Sequence, residues 1–171
     1  MVVTFPAGVV AGAPRGFAIT SHEQFMNECL FHDTPDNRRE FFIFEIVERS
    51  YRGKNKVIIF TSDNERAVAL DRMLWILRQE SFIPHRIFES GEIIDEEETE
   101  VPVGIVTTEE NPIGANVLVV DGSCGLDFSC GFNTAHEFVD HSSPERTETC
   151  RDRFRDYRAR GIVVRHVKSL Q

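Results

Sequence analysis

Short apolar runs rich in β-branched residues alternate with segments of helical spacing, and this alternation constrains the fold more than any other feature of the chain. A continuous apolar run suits a strand that is covered on both faces, and strands that alternate with helices are typical of α/β sheets. The sequence therefore predicts an α/β fold, with a single mixed, largely parallel sheet and helices on both faces. The predicted strands are VIIFT (57–61), VGIVT (103–107), NVLVVD (116–121), TAHEFVD (134–140) and IVVRHV (162–167).

Two helices are predicted in the first half of the chain from their apolar spacing and from their end signals. The first ends near Gly53, and the second begins at the capping-box pattern formed by Ser62 and Glu65. The segment SFIPHRI (81–87) is interpreted as a loop. The apolar positions that predict the two helices are Phe42, Ile43, Ile46 and Val47 in the first, and Ala69, Leu70, Met73, Leu74 and Leu77 in the second.

The length of 171 residues fits one domain, which we place at residues 26–171. Residues 1–25 are predicted to be a poorly ordered extension, or to lie upstream of a start at Met26. Their apolar run is interrupted by Pro6 and has no basic residue before Arg15, so neither a signal peptide nor a membrane span is predicted. The acidic run at 95–100 is interpreted as a solvated connection. We expect a cytoplasmic protein whose four cysteines are reduced.

The familiar chemical motifs are missing from the sequence. It contains no G-x-G-x-x-G after a strand, no Walker loop and no G-x-S-x-G, and the cysteine spacing is poor for zinc. No cofactor or metal is therefore expected. A small α/β enzyme using Asp121, His136 or His141 near the strand ends stays open as an alternative, although an Asp-Gly turn explains Asp121 without any catalytic role.

A last helix is predicted between Ser142 or Ser143, either of which can cap it, and Gly161, with Pro144 in its first turn. This helix concentrates positive charge in an acidic chain. The net charge is −9, yet residues 145–168 contain eight basic and four acidic side chains, so this segment carries +4 and the remainder −13.

The spacing in this helix places two rows side by side. Cys150, Phe154 and Tyr157 fall on an inner stripe, and Arg151, Arg155 and Arg158 repeat the same spacing one step round the helix. Guanidinium groups beside aromatic carbon suit a short peptide that offers carboxylates and one apolar anchor. Spacing alone nevertheless favours an ordinary solvated helix face, with the arginines paired to Glu148, Asp152 and Asp156.

Two separated motifs carry a resemblance to a known family. The segment VIIFTSDNERAVALDRMLWILRQESFIPHRI (57–87), with Leu-Asp-x-x-Leu-Trp at 70–75 and Ser-Phe-x-Pro-His at 81–85, resembles the chi subunit of bacterial DNA polymerase III holoenzyme. The segment RFRDYRARG (153–161) is similar to the basic motif near that family's C-terminus. The order of elements agrees over about residues 26 to 168.

The resemblance implies a nucleotide-binding type of α/β fold without a nucleotide site, and a role as a non-catalytic adaptor in DNA replication. Chi subunits join the clamp-loader complex through the psi subunit and bind the acidic C-terminal tail of single-stranded DNA-binding protein. Carried over to this chain, the tail pocket would involve Arg151, Phe154 and Arg155, with Arg158 beside them. A valine of the family's pocket edge falls at Ser142, which weakens the apolar anchor.

A second surface is implied at Trp75 and Phe82, with Pro84 fixing the turn between them. Large aromatic residues are often the dominant residues of an interface. The resemblance implies that the partner would be a psi subunit or a helicase. Without the resemblance, packing of Trp75 onto the sheet would be the better interpretation. Direct binding of single-stranded DNA by the arginine helix is a further alternative, which the acidic remainder of the chain disfavours.

Overall fold

The computed structural model describes residues 28–168, apart from residues 79, 93, 94, 96 and 97. The predicted extension at 1–25 lies outside the described residues, and so do two positions of the predicted acidic connection. The last three residues of that connection, Glu98–Glu100, form a single turn of 3-10 helix. The four cysteines are free thiols.

Seven parallel strands form one sheet within the described residues, which confirms the predicted α/β fold. The strand order is β3-β4-β2-β5-β6-β1-β7, and every pairing is parallel, so the antiparallel part that a mixed sheet would require is not found in this region. The strands are β1 (Glu28–Asp33), β2 (Val57–Phe60), β3 (His85–Phe88), β4 (Val103–Val106), β5 (Val117–Val120), β6 (Thr134–Phe138) and β7 (Val163–Lys168).

Four α-helices cover the two faces of the sheet in the described part of the chain. They are α1 (Arg39–Arg52), α2 (Asn64–Ile76), α3 (Leu126–Cys130) and α4 (Pro144–Ala159). Strand β2 shows why both faces need cover: Val57 and Ile59 join the apolar core beneath α1 and α2, whereas Ile58 and Phe60 join the core beneath α3 and α4. The continuous run VIIF is buried throughout, as expected for a central parallel strand.

Several local predictions were wrong. Helix α2 is capped by Asp63, whose carboxylate accepts the Glu65 backbone N–H at 3.0 Å, and not by Ser62. Ala69 is exposed, and Ala67 packs in the core instead. The segment interpreted as a loop at 81–87 contains the start of edge strand β3.

Helix α4 begins and ends where the sequence predicted. The Ser143 hydroxyl accepts the Arg146 backbone N–H at 3.2 Å, and Pro144 occupies the first helical position. Gly161 has a φ of 78°, a left-handed conformation that glycine adopts at little cost, and its N–H donates to the Arg158 carbonyl at 3.0 Å. The chain then passes directly into β7, the edge strand beside β1.

Candidate functional site

An apolar pocket lies between α4 and the sheet edge formed by β6, β1 and β7. Its volume is about 330 Å³. Because residues paired across parallel strands point to the same face, Phe31 of β1 and its register partner His166 of β7 both point towards α4. The lining residues are Phe31, Val139, His141, Thr147, Cys150, Arg151, Phe154, Arg155 and His166.

The inner stripe of α4 forms one wall of this pocket. Tyr157 is fully buried, whereas Cys150 and Phe154 are half-buried and line the opening. The Phe154 ring packs on the Phe31 ring with their centroids 5.3 Å apart and the planes tilted by 57°. The pocket therefore has an aromatic wall that an apolar side chain could contact directly.

A buried ion pair fixes α4 on the sheet behind this wall. Arg153 Nε donates to both carboxylate oxygens of Glu137 at 2.6 and 2.7 Å, and its other nitrogens reach the Cys124 carbonyl at 2.7 Å and the Ser129 hydroxyl at 2.8 Å. The Tyr157 hydroxyl also donates to Glu137. Burial alone would lower the pKa of Arg153, but the Glu137 carboxylate raises it above its usual value. The charge of Arg153 is therefore already paired within the protein, and its role is structural.

The two arginines at the pocket opening are exposed and share one carboxylate. Arg151 donates to Glu148 at 3.0 Å and Arg155 donates to the other Glu148 oxygen at 3.1 Å, with a further pair between Arg155 and Asp152. These hydrogen bonds lower the pKa of Glu148. Side-chain exposures of 65% for Arg151 and 63% for Arg155 leave both guanidinium groups open to solvent. Exposed ion pairs are weak, so an incoming carboxylate can displace Glu148.

The turn that leads into α4 is held by Asp140. Its carboxylate accepts the Ser142 backbone N–H at 2.8 Å and the Arg146 guanidinium at 2.9 Å. Hydrogen bonding to Ser142, with Arg146 adding to it, lowers the pKa of Asp140 to about 2. The turn places Val139 and His141 in the pocket lining.

A separate aromatic surface lies on the opposite face of the sheet, on α2 and the segment that follows it. Trp75 is 49% exposed and Phe82 is 66% exposed, and their rings meet edge to face at 5.4 Å. The His85 ring packs against Trp75 at 4.8 Å, and its Nδ1 lies 2.7 Å from the Ile83 carbonyl. Val68 and Ile76 of α2 are also exposed, at 60% and 57%.

The candidate enzyme residues do not come together in the structure. Asp121 is held by Arg39 at 2.9 Å and Arg66 at 2.6 Å in a polar crevice at the ends of β2, β5 and β6. His136 is hydrogen-bonded to His32 at 2.9 Å, whereas His141 lines the apolar pocket. Among the described residues, no cluster of three or more His, Cys, Asp or Glu side chains could hold a metal ion. In the same part of the chain, no helix is long and apolar enough to cross a membrane.

The family model described as "DNA polymerase III chi subunit, HolC" matches residues 26–165. The chain belongs to this family. A "Probable DNA polymerase III subunit chi" of Rickettsia prowazekii (strain Madrid E) is 28% identical over 104 residues, which cover 61% of this chain and 60% of that protein. The DNA polymerase III subunit chi of Escherichia coli (strain K12) is 26% identical over 124 residues, covering 72% of this chain and 80% of the relative.

Solved structures resemble this chi-family chain in fold alone. The crystal structure of T4 UvsW superposes with a TM-score of 0.61 at 10% sequence identity, covering 86% of this chain and 42% of that one. At that identity, the match indicates a shared α/β architecture and nothing about ligands.

The structure places the predicted tail-pocket residues of the chi-family chain in two groups. Arg151, Phe154 and Arg155 line the same pocket. Ser142 and Arg158 are exposed nearby but stand outside the lining residues. Trp75 and Phe82 form the predicted aromatic pair, and Pro84 is half-buried two residues beyond Phe82.

The sheet side of the pocket is not predicted from the sequence. Phe31, Val139 and His166 come from segments far apart along the chain, and the register of three strands brings them together. The local signal for this side of the pocket is the alternation of residues in β1, which places Phe31 and Asp33 on one face of the sheet. It gives no information about which helix covers that face.

Proposed function

We propose that this chi-family chain is a non-catalytic replication adaptor whose apolar pocket binds the acidic C-terminal tail of single-stranded DNA-binding protein. The observation that carries the proposal is an apolar pocket of about 330 Å³ with two solvent-exposed arginines on its rim. A peptide that ends in an apolar residue with a free carboxylate matches both features. The family assignment supports this choice of partner.

The expected binding mode follows from the lining of the pocket. The terminal apolar side chain would pack between Phe31, Val139 and Phe154, and the terminal carboxylate would replace Glu148 between Arg151 and Arg155. Charge-assisted hydrogen bonds from arginine to a carboxylate are among the strongest in proteins. Val139 supplies an aliphatic edge here, so the apolar anchor does not depend on Ser142.

Ser142 and Arg158 would contribute at the margin of this site. Ser142 lies in the exposed turn after Val139, where it can contact the peptide backbone. Arg158 is exposed on α4 beyond the lining residues, so it would act on acidic residues of the tail through its charge over a longer distance.

The aromatic surface at Trp75 and Phe82, with Pro84, is proposed to hold the second partner, a psi subunit or a helicase. Exposed large aromatic side chains in contact with each other are unusual on a free surface and typical of interface centres. The two surfaces lie on opposite faces of the sheet. One chain could therefore hold both partners at once and link the tail to the clamp-loader complex.

The polar crevice around Asp121 supports the non-catalytic role in this proposal. Ligands of open α/β sheets bind outside the carboxyl ends of the strands, and here that position holds the buried Asp121 carboxylate between Arg39 and Arg66. The chain's own carboxylate thus satisfies the cations that would otherwise attract a phosphate.

A titration of a labelled tail peptide at low and moderate salt tests the proposal. We expect saturable binding that weakens with salt and is lost when the terminal apolar residue is removed or its carboxylate is amidated. An oligodeoxythymidine titration in parallel separates the alternative. Affinity that rises with strand length, together with no binding of the peptide, would replace the tail pocket by a DNA-binding surface.

A further inference from the structure

A cluster of three titratable residues lies on the sheet side of the tail pocket. His141 Nε2 is 2.8 Å from one carboxylate oxygen of Asp33, and His166 Nε2 is 3.6 Å from the other. Asp33 ends β1, His141 follows β6 and His166 belongs to β7, so the three meet at the carboxyl edge of adjacent strands. All three are partly exposed, and we call them the rim cluster.

The rim cluster faces the arginines across the pocket. Arg151 and Arg155 approach from α4, whereas both histidines of the cluster line the sheet side of the same opening. A peptide whose last side chain fills the pocket would place its terminal carboxylate against the arginines. An upstream residue of the peptide would then lie against the rim cluster. The apolar floor of the pocket separates the two rims, so the terminal carboxylate and the upstream acidic side chain would bind on opposite sides of it.

The charge of the rim cluster depends on its protons. With both imidazoles neutral, Asp33 makes the cluster negative and repels an acidic peptide. Histidine is the side chain whose charge ordinarily changes between pH 5 and 8, and two protonated rings would make the cluster positive. The other charged side chains that face or adjoin it are Lys168 on β7, Arg151 and Arg155 on α4, and Asp140 with its partner Arg146 in the turn before α4.

We propose that the rim cluster is a second carboxylate-binding point of the pocket, which accepts an acidic residue upstream of the peptide's apolar end and takes up protons as it does so. This inference rests on the proposed function, since it concerns the same pocket. An acidic side chain that approaches His141 and His166 favours their protonated forms, and the protonated rings then donate to both Asp33 and the peptide. Tail binding would thus strengthen as the pH falls.

Calorimetric titration of the tail peptide at pH 6.0 and 8.0, in two buffers that differ in ionisation heat, measures both affinity and proton uptake. We expect binding to be about several-fold tighter at pH 6.0 than at pH 8.0, with net proton uptake when the peptide binds. A peptide whose upstream acidic residues are replaced by asparagine should lose this dependence. D33N should bind more tightly than the unmodified chain at pH 8.0, because the repelling carboxylate is gone.

Variants of the rim cluster test whether His141 and His166 are the groups that take up protons when the peptide binds. The double variant His141→Gln, His166→Gln should show no strengthening of binding between pH 8.0 and pH 6.0 and no proton uptake, whatever its affinity at pH 8.0. Arg165→Gln is the matched control on β7, because Arg165 lies on the opposite face and pairs with Glu28. It should keep the full pH dependence.

The outcomes separate the two proposals. Equal affinity at both pH values without proton uptake would overturn the rim cluster as a binding point and leave the tail pocket standing. Retention of the pH dependence in the double histidine variant would also overturn it. Failure of the peptide to bind at either pH would overturn the proposed function, and the inference with it.

Discussion

The Phe154 ring of α4 packs on the Phe31 ring of β1 with their centroids 5.3 Å apart. This contact joins a helix that carries exposed arginines to the floor of an apolar pocket, so the charge and the apolar surface form one site. Neither feature alone would distinguish this helix from an ordinary solvated one. Together they are the basis for proposing a ligand with an apolar end and a negative charge.

Reversal of the charge of Arg155 is expected to weaken tail binding by at least about tenfold, since a hydrogen bond to a charged group contributes about 1.5 to 3 kcal/mol. Arg155→Glu can be compared by fluorescence anisotropy with Arg72→Glu, which makes the same change at an exposed position of α2 on the opposite face. Equal losses in both variants would mean that net charge, and not the pocket, attracts the peptide.

Removal of the Glu148 carboxylate should strengthen tail binding. Glu148 bridges Arg151 and Arg155 in the free protein and competes with the incoming carboxylate. An exposed ion pair is weak, so Glu148→Gln should improve the dissociation constant by only about a few-fold. The same titration performed on Glu145→Gln, an exposed carboxylate in the first turn of α4, serves as the control. Weaker binding by Glu148→Gln would place the peptide elsewhere.

Truncation of Phe82 is expected to spare both the fold and the tail pocket. The Phe82 side chain is 66% exposed, so Phe82→Ala should change the melting temperature little while it weakens binding of the second partner. A pull-down with psi subunit or helicase, alongside the tail titration, measures the two functions separately. Loss of tail binding in this variant would contradict the separation of the two surfaces.

The Arg153–Glu137 pair should dominate the stability of α4. Arg153→Met would leave the buried Glu137 carboxylate without its cationic partner, which typically costs about 3 to 5 kcal/mol of unfolding free energy. Urea unfolding can compare it with Arg151→Met, which breaks an exposed pair and should cost less than about 1 kcal/mol. Similar values for the two variants would show that Arg153 is not the anchor of the helix.

The stacked pair of His32 and His136 should make the fold sensitive to acid. Burial, with Arg49 nearby, lowers the pKa of both rings, so the unfolded chain binds more protons than the folded chain below about pH 6.5. Stability should therefore fall as the pH drops from 6.5 to 5, by about 1 to 2 kcal/mol for each histidine. The double variant His32→Gln, His136→Gln should flatten this part of the urea-unfolding profile. An unchanged slope would contradict the lowered pKa values.

The central strands could be predicted from sequence because burial on both faces leaves continuous apolar runs such as VIIF. Strand β3 escaped prediction because its sequence, HRIF, begins with two polar residues and is mostly only half-buried at the edge of the sheet, so it lacks a continuous apolar run. Helix α3 has five residues, too few to show a helical period.

The site was predictable only on its helical side. Spacing within α4 placed Phe154 and the arginine row, since those positions share one element. The Arg153 side chain points towards the sheet because its ion-pair partner, Glu137, is buried there. Spacing within the helix contains no information about this pairing. The strand register that adds Phe31 and Val139 likewise requires the folded structure.

A map of amide chemical-shift changes, recorded as unlabelled tail peptide is added to the isotope-labelled protein, shows directly where the peptide binds. Saturating changes should cluster at Phe31, Val139 and Cys150–Arg155, and the α2 aromatic surface should stay unchanged. Changes centred on Trp75 and Phe82, or spread over the basic surface without saturation, would contradict the assignment of the pocket.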